Sequence, residues 1–161
     1  MKFLKKSRSL ENEIINRSWK IISRSKYGVL YKKLIAIDYF DLEISILDNK
    51  FFFIRNFLNF SVNKEMYFKL FIFVNALNKL CAKGFFIIDE KKKVIFYRYN
   101  LQLESNEFND EKQLLFNLKI VLDEIEILSK KLSFGIHQIL FSNYEIDQIK
   151  ECVLTNAAGN A

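Results

Sequence analysis

The residue types in this chain that could do chemistry are few and far apart. His137 is the single histidine, so a Ser-His-acid or Cys-His centre would have to be built around it, and neither Cys81 nor any serine stands in a recognisable nucleophile context. A structural role is therefore expected for His137. Cys81, Cys152 and His137 lack the short ligand spacings of a structural zinc site, and no metal or other cofactor is expected. Both cysteines lie in apolar, helical patterns and read as reduced thiols of a cytoplasmic protein. Gly28, Gly84, Gly135 and Gly159 are too widely spaced to form a phosphate-cradling loop. Asp123, Glu124 and Glu126 cluster beside an apolar helix face, in the manner of a solvated edge rather than a catalytic carboxylate pair. Tyr97 and Tyr99 alternate with Phe96 around Arg98, which suggests base stacking. The glycine-aromatic pattern of an RNA-binding strand is absent, so packing is the better reading. No enzyme activity is expected.

Cations form the second chemical feature. The 161-residue chain carries 25 basic and 19 acidic residues, for a net charge of +6. Residues 1–33 hold ten of the basic residues against two acidic ones, so the positive potential belongs to the N-terminal part. Arg17, Lys20 and Arg24 share one face if this segment is helical, and Lys32 and Lys33 follow. These five are the candidate patch for nucleic acid or an anionic membrane. A solvated face of an ordinary surface helix is the favoured explanation of the first three, because charge runs are usually solvation.

The elements that must position such groups follow from periodicity. Ser9 can cap a first, amphipathic helix reaching Arg24, with Glu11 and Glu13 near its positive end. Strands are expected over Leu34–Phe40, Leu42–Leu47 and Phe51–Arg55, with a turn at Asp48-Asn49-Lys50. Asn63 can cap a second helix to about Cys81, ended by Gly84 in a left-handed conformation. A hairpin follows, Phe85–Asp89 against Val94–Leu101. Asn109 can cap a third helix in which Leu114, Leu118, Val121, Ile125, Leu128 and Leu132 make one seam. A turn at Phe134-Gly135, a short apolar segment and a last short helix over 144–154 complete the chain. The fold class is α+β: an antiparallel sheet of about five strands with helices packed on it, in the order α-β-β-β-α-β-β-α. One domain over 1–155 is expected, with 156–161 a frayed tail or an appended remnant. No secretory signal is expected at the start of the chain, and Lys69, Asn75, Asn78 and Lys79 interrupt the most apolar helix too often for a membrane span. The absence of proline, the four glycines and the 17 phenylalanines match the usage of an AT-rich genome.

The second helix is apolar nearly all round. Tyr67, Leu70, Phe71, Val74, Leu77, Leu80 and Cys81 make one side, while Phe68, Ile72 and Phe73 make another and form the candidate protein interface. Val74-Asn75-Ala76-Leu77-Asn78, then Gly84-Phe85-Phe86-Ile87-Ile88-Asp89, then Val94-Ile95-Phe96-Tyr97-Arg98-Tyr99 resembles the YbjN family. Members of that family run similarly from a leucine-asparagine helix end through a glycine-aromatic strand into a tyrosine-arginine-tyrosine strand. The resemblance extends in order over residues 9–155, with its distinctive part in the centre. It implies a fold like that of type III secretion chaperones and a regulatory or chaperone-like role without an established reaction. It also implies dimerisation and an apolar surface offered to an extended client. The basic first segment and the many phenylalanines depart from it. The expectation is a cytoplasmic, non-enzymatic module whose partner is another protein, and a homodimer formed through helix 63–81 or helix 109–132.

Overall fold

The computed structural model describes residues 8–47, 51–61, 64–102 and 111–141, with 145, 147, 148 and 151 beyond them. Its elements in chain order are α1 (Arg8–Asn16), β1 (Lys20–Arg24), β2 (Gly28–Ile35), β3 (Asp38–Leu47), β4 (Phe51–Asn59), α2 (Lys64–Asn78), β5 (Phe85–Asp89), β6 (Val94–Gln102) and α3 (Glu111–Phe141). The strands form one antiparallel sheet in the spatial order β1-β2-β3-β4-β6-β5. The α+β class is as the sequence indicates, and the β5–β6 hairpin lies where its alternation places it. The expected caps Asn63 and Asn109, the turn at 48–50, most of 144–154 and the tail at 156–161 lie outside the described residues.

The sheet has six strands because the first helix is shorter than its periodicity suggests. Arg17 N–H and Ser18 N–H donate to the carbonyls of Ile14 and Ile15, and Trp19 N–H reaches back to Ile14 O. Ser18 is left-handed, with φ 67°. This is a Schellman stop, at a serine rather than the usual glycine. Lys20–Arg24 then leaves as an edge strand paired with β2. Leu34–Phe40 is likewise not one strand. Ile35 pairs with Asp38, and Ala36, at φ 56°, turns the chain between them.

Side-chain alternation in β2 to β6 turns one face of the sheet to the core, whereas every residue of the edge strand β1 is exposed. Register places Tyr31, Leu42, Asn56, Tyr97 and Phe86 in one row across five strands, and all five are buried. The seam of α3 lies in the same core, with Leu118, Leu122 and Ile125 fully buried. At this buried layer Asn56 Nδ2 donates to Ser129 Oγ at 2.6 Å. One turn further, Ser133 Oγ donates to Asp38 Oδ2 at 2.6 Å and accepts from Ile37 N–H. Those two bonds fix the turn between β2 and β3 against the helix.

Two glycines have roles that differ from those their spacing suggests. α3 runs unbroken through Gly135, where the sequence suggests a turn, because a Cβ at that position would enter the ring of Phe73. The missing side chain is a seat for α2, not a helix stop. Gly84 has no left-handed φ; a Cβ there would strike the Tyr97 ring and the Arg98 carbonyl. In an isolated helix Gly→Ala stabilises by about 1 kcal/mol. Gly135→Ala is expected instead to lower stability by about 1–3 kcal/mol through overpacking, with Phe73→Leu in the same chain recovering part of the loss. Urea unfolding of the single and double variants measures this, and a stabilised Gly135→Ala protein would rule out the contact.

Candidate functional site

Phe68 and Phe73, which the sequence places on one interface, are separated by the fold. Phe68 is 61% exposed, whereas Phe73 is 2% exposed and packed on Gly135. Ile72 is half-buried between them. Phe73 is therefore a core residue, and the outer face of α2 is carried by Phe68 and Phe71, both exposed. Phe71, which the sequence pattern groups with Leu70 and Val74, lies instead with Phe68, three positions away on the same side of the helix.

The basic patch is also redistributed. Arg17 Nε bonds Glu13 Oε1 at 2.9 Å and its Nη1 bonds Asp123 Oδ1 at 2.6 Å. Arg24 forks onto Glu11 through two bonds, one of 2.9 Å, and that bond lowers the Glu11 pKa. Lys32 lies 3.3 Å from Asp41, and Lys33 lies 2.8 Å from Glu126 while resting over the Trp19 ring. Of the five, Lys20 is the one without an ion pair among the described residues. Each exposed pair contributes only about 0.2–1 kcal/mol, yet pairing neutralises the field a phosphate would meet.

The acidic cluster of α3 supplies much of that pairing, so it is not a free solvated edge. Asp123 takes Arg17, and Glu126 takes Lys33 and the Trp19 indole N–H at 3.2 Å. Glu124 accepts from the backbone N–H groups of Ala82 (3.2 Å), Lys83 (3.1 Å) and Gly84 (3.4 Å) and from the Tyr97 hydroxyl (2.9 Å). Burial, and after it Glu124, pushes the Tyr97 phenol far above its ordinary range. On the other side of this loop, the Asn78 amide accepts from Phe86 N–H at 2.6 Å and donates to Phe86 O at 3.0 Å, closing the end of α2 onto the edge strand β5.

The remaining candidates for chemistry are structural in their surroundings. His137 Nε2 lies 3.3 Å from Asp38 Oδ1, and its ring stacks on Phe141. Asp38 sits between Ser133 and His137, so the histidine is not placed to accept the serine proton. The Cys81 thiol donates toward Leu77 O, and burial, then the nearby Glu124, pushes its pKa up to about 12. Among the described residues, no His, Cys, Asp and Glu side chains are grouped to hold a metal ion, and no helix is long and apolar enough to cross a membrane.

Among the described residues, a single six-stranded antiparallel sheet with helices packed on it makes this an α+β fold. The fold is similar to that of YbjN. The crystal structure of YbjN from E. coli, a candidate transcription regulator, superposes with a TM-score of 0.53 at 12% identity, over 81% of this chain and 91% of that one. The resemblance read from the central residues thus holds at the level of fold. No protein-family model and no curated protein matches the sequence.

Glu124→Gln, which weakens the acceptor of the 82–84 loop, is expected to cost about 1–2 kcal/mol and to speed amide exchange at Ala82, Lys83 and Gly84. Unchanged exchange there would mean that the carboxylate does not hold the loop. Cys81 offers a second check. With its pKa raised from 9.0 to about 12, the thiolate fraction at pH 8 falls roughly a thousandfold. In a Cys152→Ser chain, a disulfide reagent at pH 8 should label Cys81 far more slowly when folded than in urea. Because the neutral thiol is favoured by folding, that stabilisation is complete below pH 9 and is lost as the pH rises toward about 12. Equal labelling rates in the two states would show the thiol to be open to solvent.

Proposed function

We propose that this chain is a non-enzymatic protein-binding module of the cytoplasm, a chaperone-like adaptor or a regulator, whose working surface is the outer side of its helices. The observation that carries the reading is that Phe68 and Phe71 stand exposed on α2 while four of the five candidate cations are held by carboxylates. Large apolar side chains gathered on one helix face suit a groove or helix of another protein. The role named for YbjN, transcription regulator, is compatible with the regulatory form of this reading. The electrostatic alternative, nucleic acid or anionic membrane held by Arg17, Lys20, Arg24, Lys32 and Lys33, draws less support because those partners would first have to displace Glu11, Asp41, Asp123 and Glu126.

Affinity capture from the native lysate, with low-salt and high-salt washes, separates the two. A discrete protein is expected to survive high salt and to be lost from the Phe68→Glu/Phe71→Glu variant, since apolar contacts are not screened. Nucleic acid or lipid that salt releases, from wild type and variant alike, would overturn the reading and favour the cations.

A further inference from the structure

The side of α3 turned away from the sheet is apolar along a single line. At 3.6 residues per turn, Phe116, Ile127, Phe134 and Phe141 point within about 40° of one another, opposite the buried Leu118, Ile125 and Leu132. They are 58%, 60%, 41% and 80% exposed. Ile120, half-buried, completes a seven-residue ladder with Ile127, Phe134 and Phe141. The helix therefore carries two seams. One is spent on the sheet, and the other lies at the surface over about 37 Å.

We propose that this outer seam pairs with the same seam of a second copy, the two α3 helices running antiparallel about a twofold axis at Ile127. The seven-residue ladder is the repeat that two helices can follow side by side. The charges that interrupt it select the orientation. Asp123 and Lys130 lie on the line, before and after Ile127. Parallel helices in register would set Asp123 against Asp123 and Lys130 against Lys130. Antiparallel helices crossing at Ile127 set Ile120 against Phe134, twice, with Ile127 meeting itself, and bring Asp123 to within one residue's rise, about 1.5 Å, of Lys130 of the copy, twice. A twofold interface has to be complementary to itself, and this one is. Asp123 is 62% exposed even with Arg17 on its Oδ1, and Lys130 is exposed. An unrelated helix would have to supply both charges in the reverse order, which a second copy does by symmetry.

The inference rests on the reading that outer helix faces are binding surfaces, but it concerns α3 and not the α2 face of Phe68 and Phe71. Sedimentation of the full chain over the micromolar range tests it, with thermal melts to show that each variant is folded. The wild type is expected to be a dimer. Phe134→Asp, and Lys130→Asp, which sets two carboxylates against each other, should each raise the dissociation constant by about tenfold or more. Asp123→Lys combined with Lys130→Asp should bring the dimer back, because reversing both charges restores the match. A monomeric wild type, a dimer indifferent to Phe134→Asp, or a double variant no tighter than Lys130→Asp alone would each overturn the pairing. A monomer that still captures a partner through Phe68 and Phe71 would sink this inference and leave the protein-binding reading standing. A dimer that captures nothing would do the reverse.

Discussion

One turn of α3 holds three carboxylates whose partners come from three separate parts of the chain. Asp123 binds the end of α1 through Arg17, Glu124 binds the loop before β5 and the Tyr97 hydroxyl, and Glu126 binds Trp19 and Lys33. A sheet covered on one face cannot choose a helix position by apolar contact alone, because burial is without direction. Charged hydrogen bonds are directional, and here they set where the helix lies along the strands. Arg17 and Lys33 meet the acidic turn of α3, and Arg24 and Lys32 meet Glu11 and Asp41, so four of the five candidate cations are paired within the fold.

What could be read from the sequence follows from how local its signals are. The β5–β6 hairpin is specified by its own alternation and turn, and its limits agree with the expectation to within a residue at β6. The Asn75 to Asn78 helix end, part of the likeness to YbjN, contains the amide that clamps Phe86. Errors cluster where a non-local partner replaces the usual local residue. Ser18 and Ala36 adopt left-handed conformations that most often mark themselves by glycine or asparagine. Without that mark, periodicity carries α1 on to Arg24, eight residues past its end at Asn16, and joins the end of β2 to the start of β3 as one strand. Ile37 N–H reaching Ser133 and Trp19 reaching Glu126 are the distant bonds beside those turns.

Gly135 and Phe73 are complementary errors. Each is misleading alone, the glycine as a helix stop and the phenylalanine as an exposed contact, and each is explained by the other once α2 and α3 cross. No window of a few residues contains both. The candidate interface was legible to that extent: Phe68 keeps its place at the surface, and Phe73 loses it to a partner 62 positions away.

A chain that is half hydrophobic, built as one sheet with helices on one side, has more apolar side chains than its core can take. Genome composition could supply such a surplus, but composition acts on each position independently and would leave it scattered. The surplus on α3 is not scattered. Phe116, Ile127, Phe134 and Phe141 are separated by eleven, seven and seven residues, the intervals that return a helix to the same side, while the exposed positions between them include Lys119, Asp123 and Lys130. Phe68 and Phe71 repeat the pattern on α2. Alignment costs solubility unless something covers it, and codon usage gives no reason for it to follow the helical repeat. The same abundance of phenylalanine that looks compositional in the sequence thus acquires direction from the fold, and direction is what a binding surface requires.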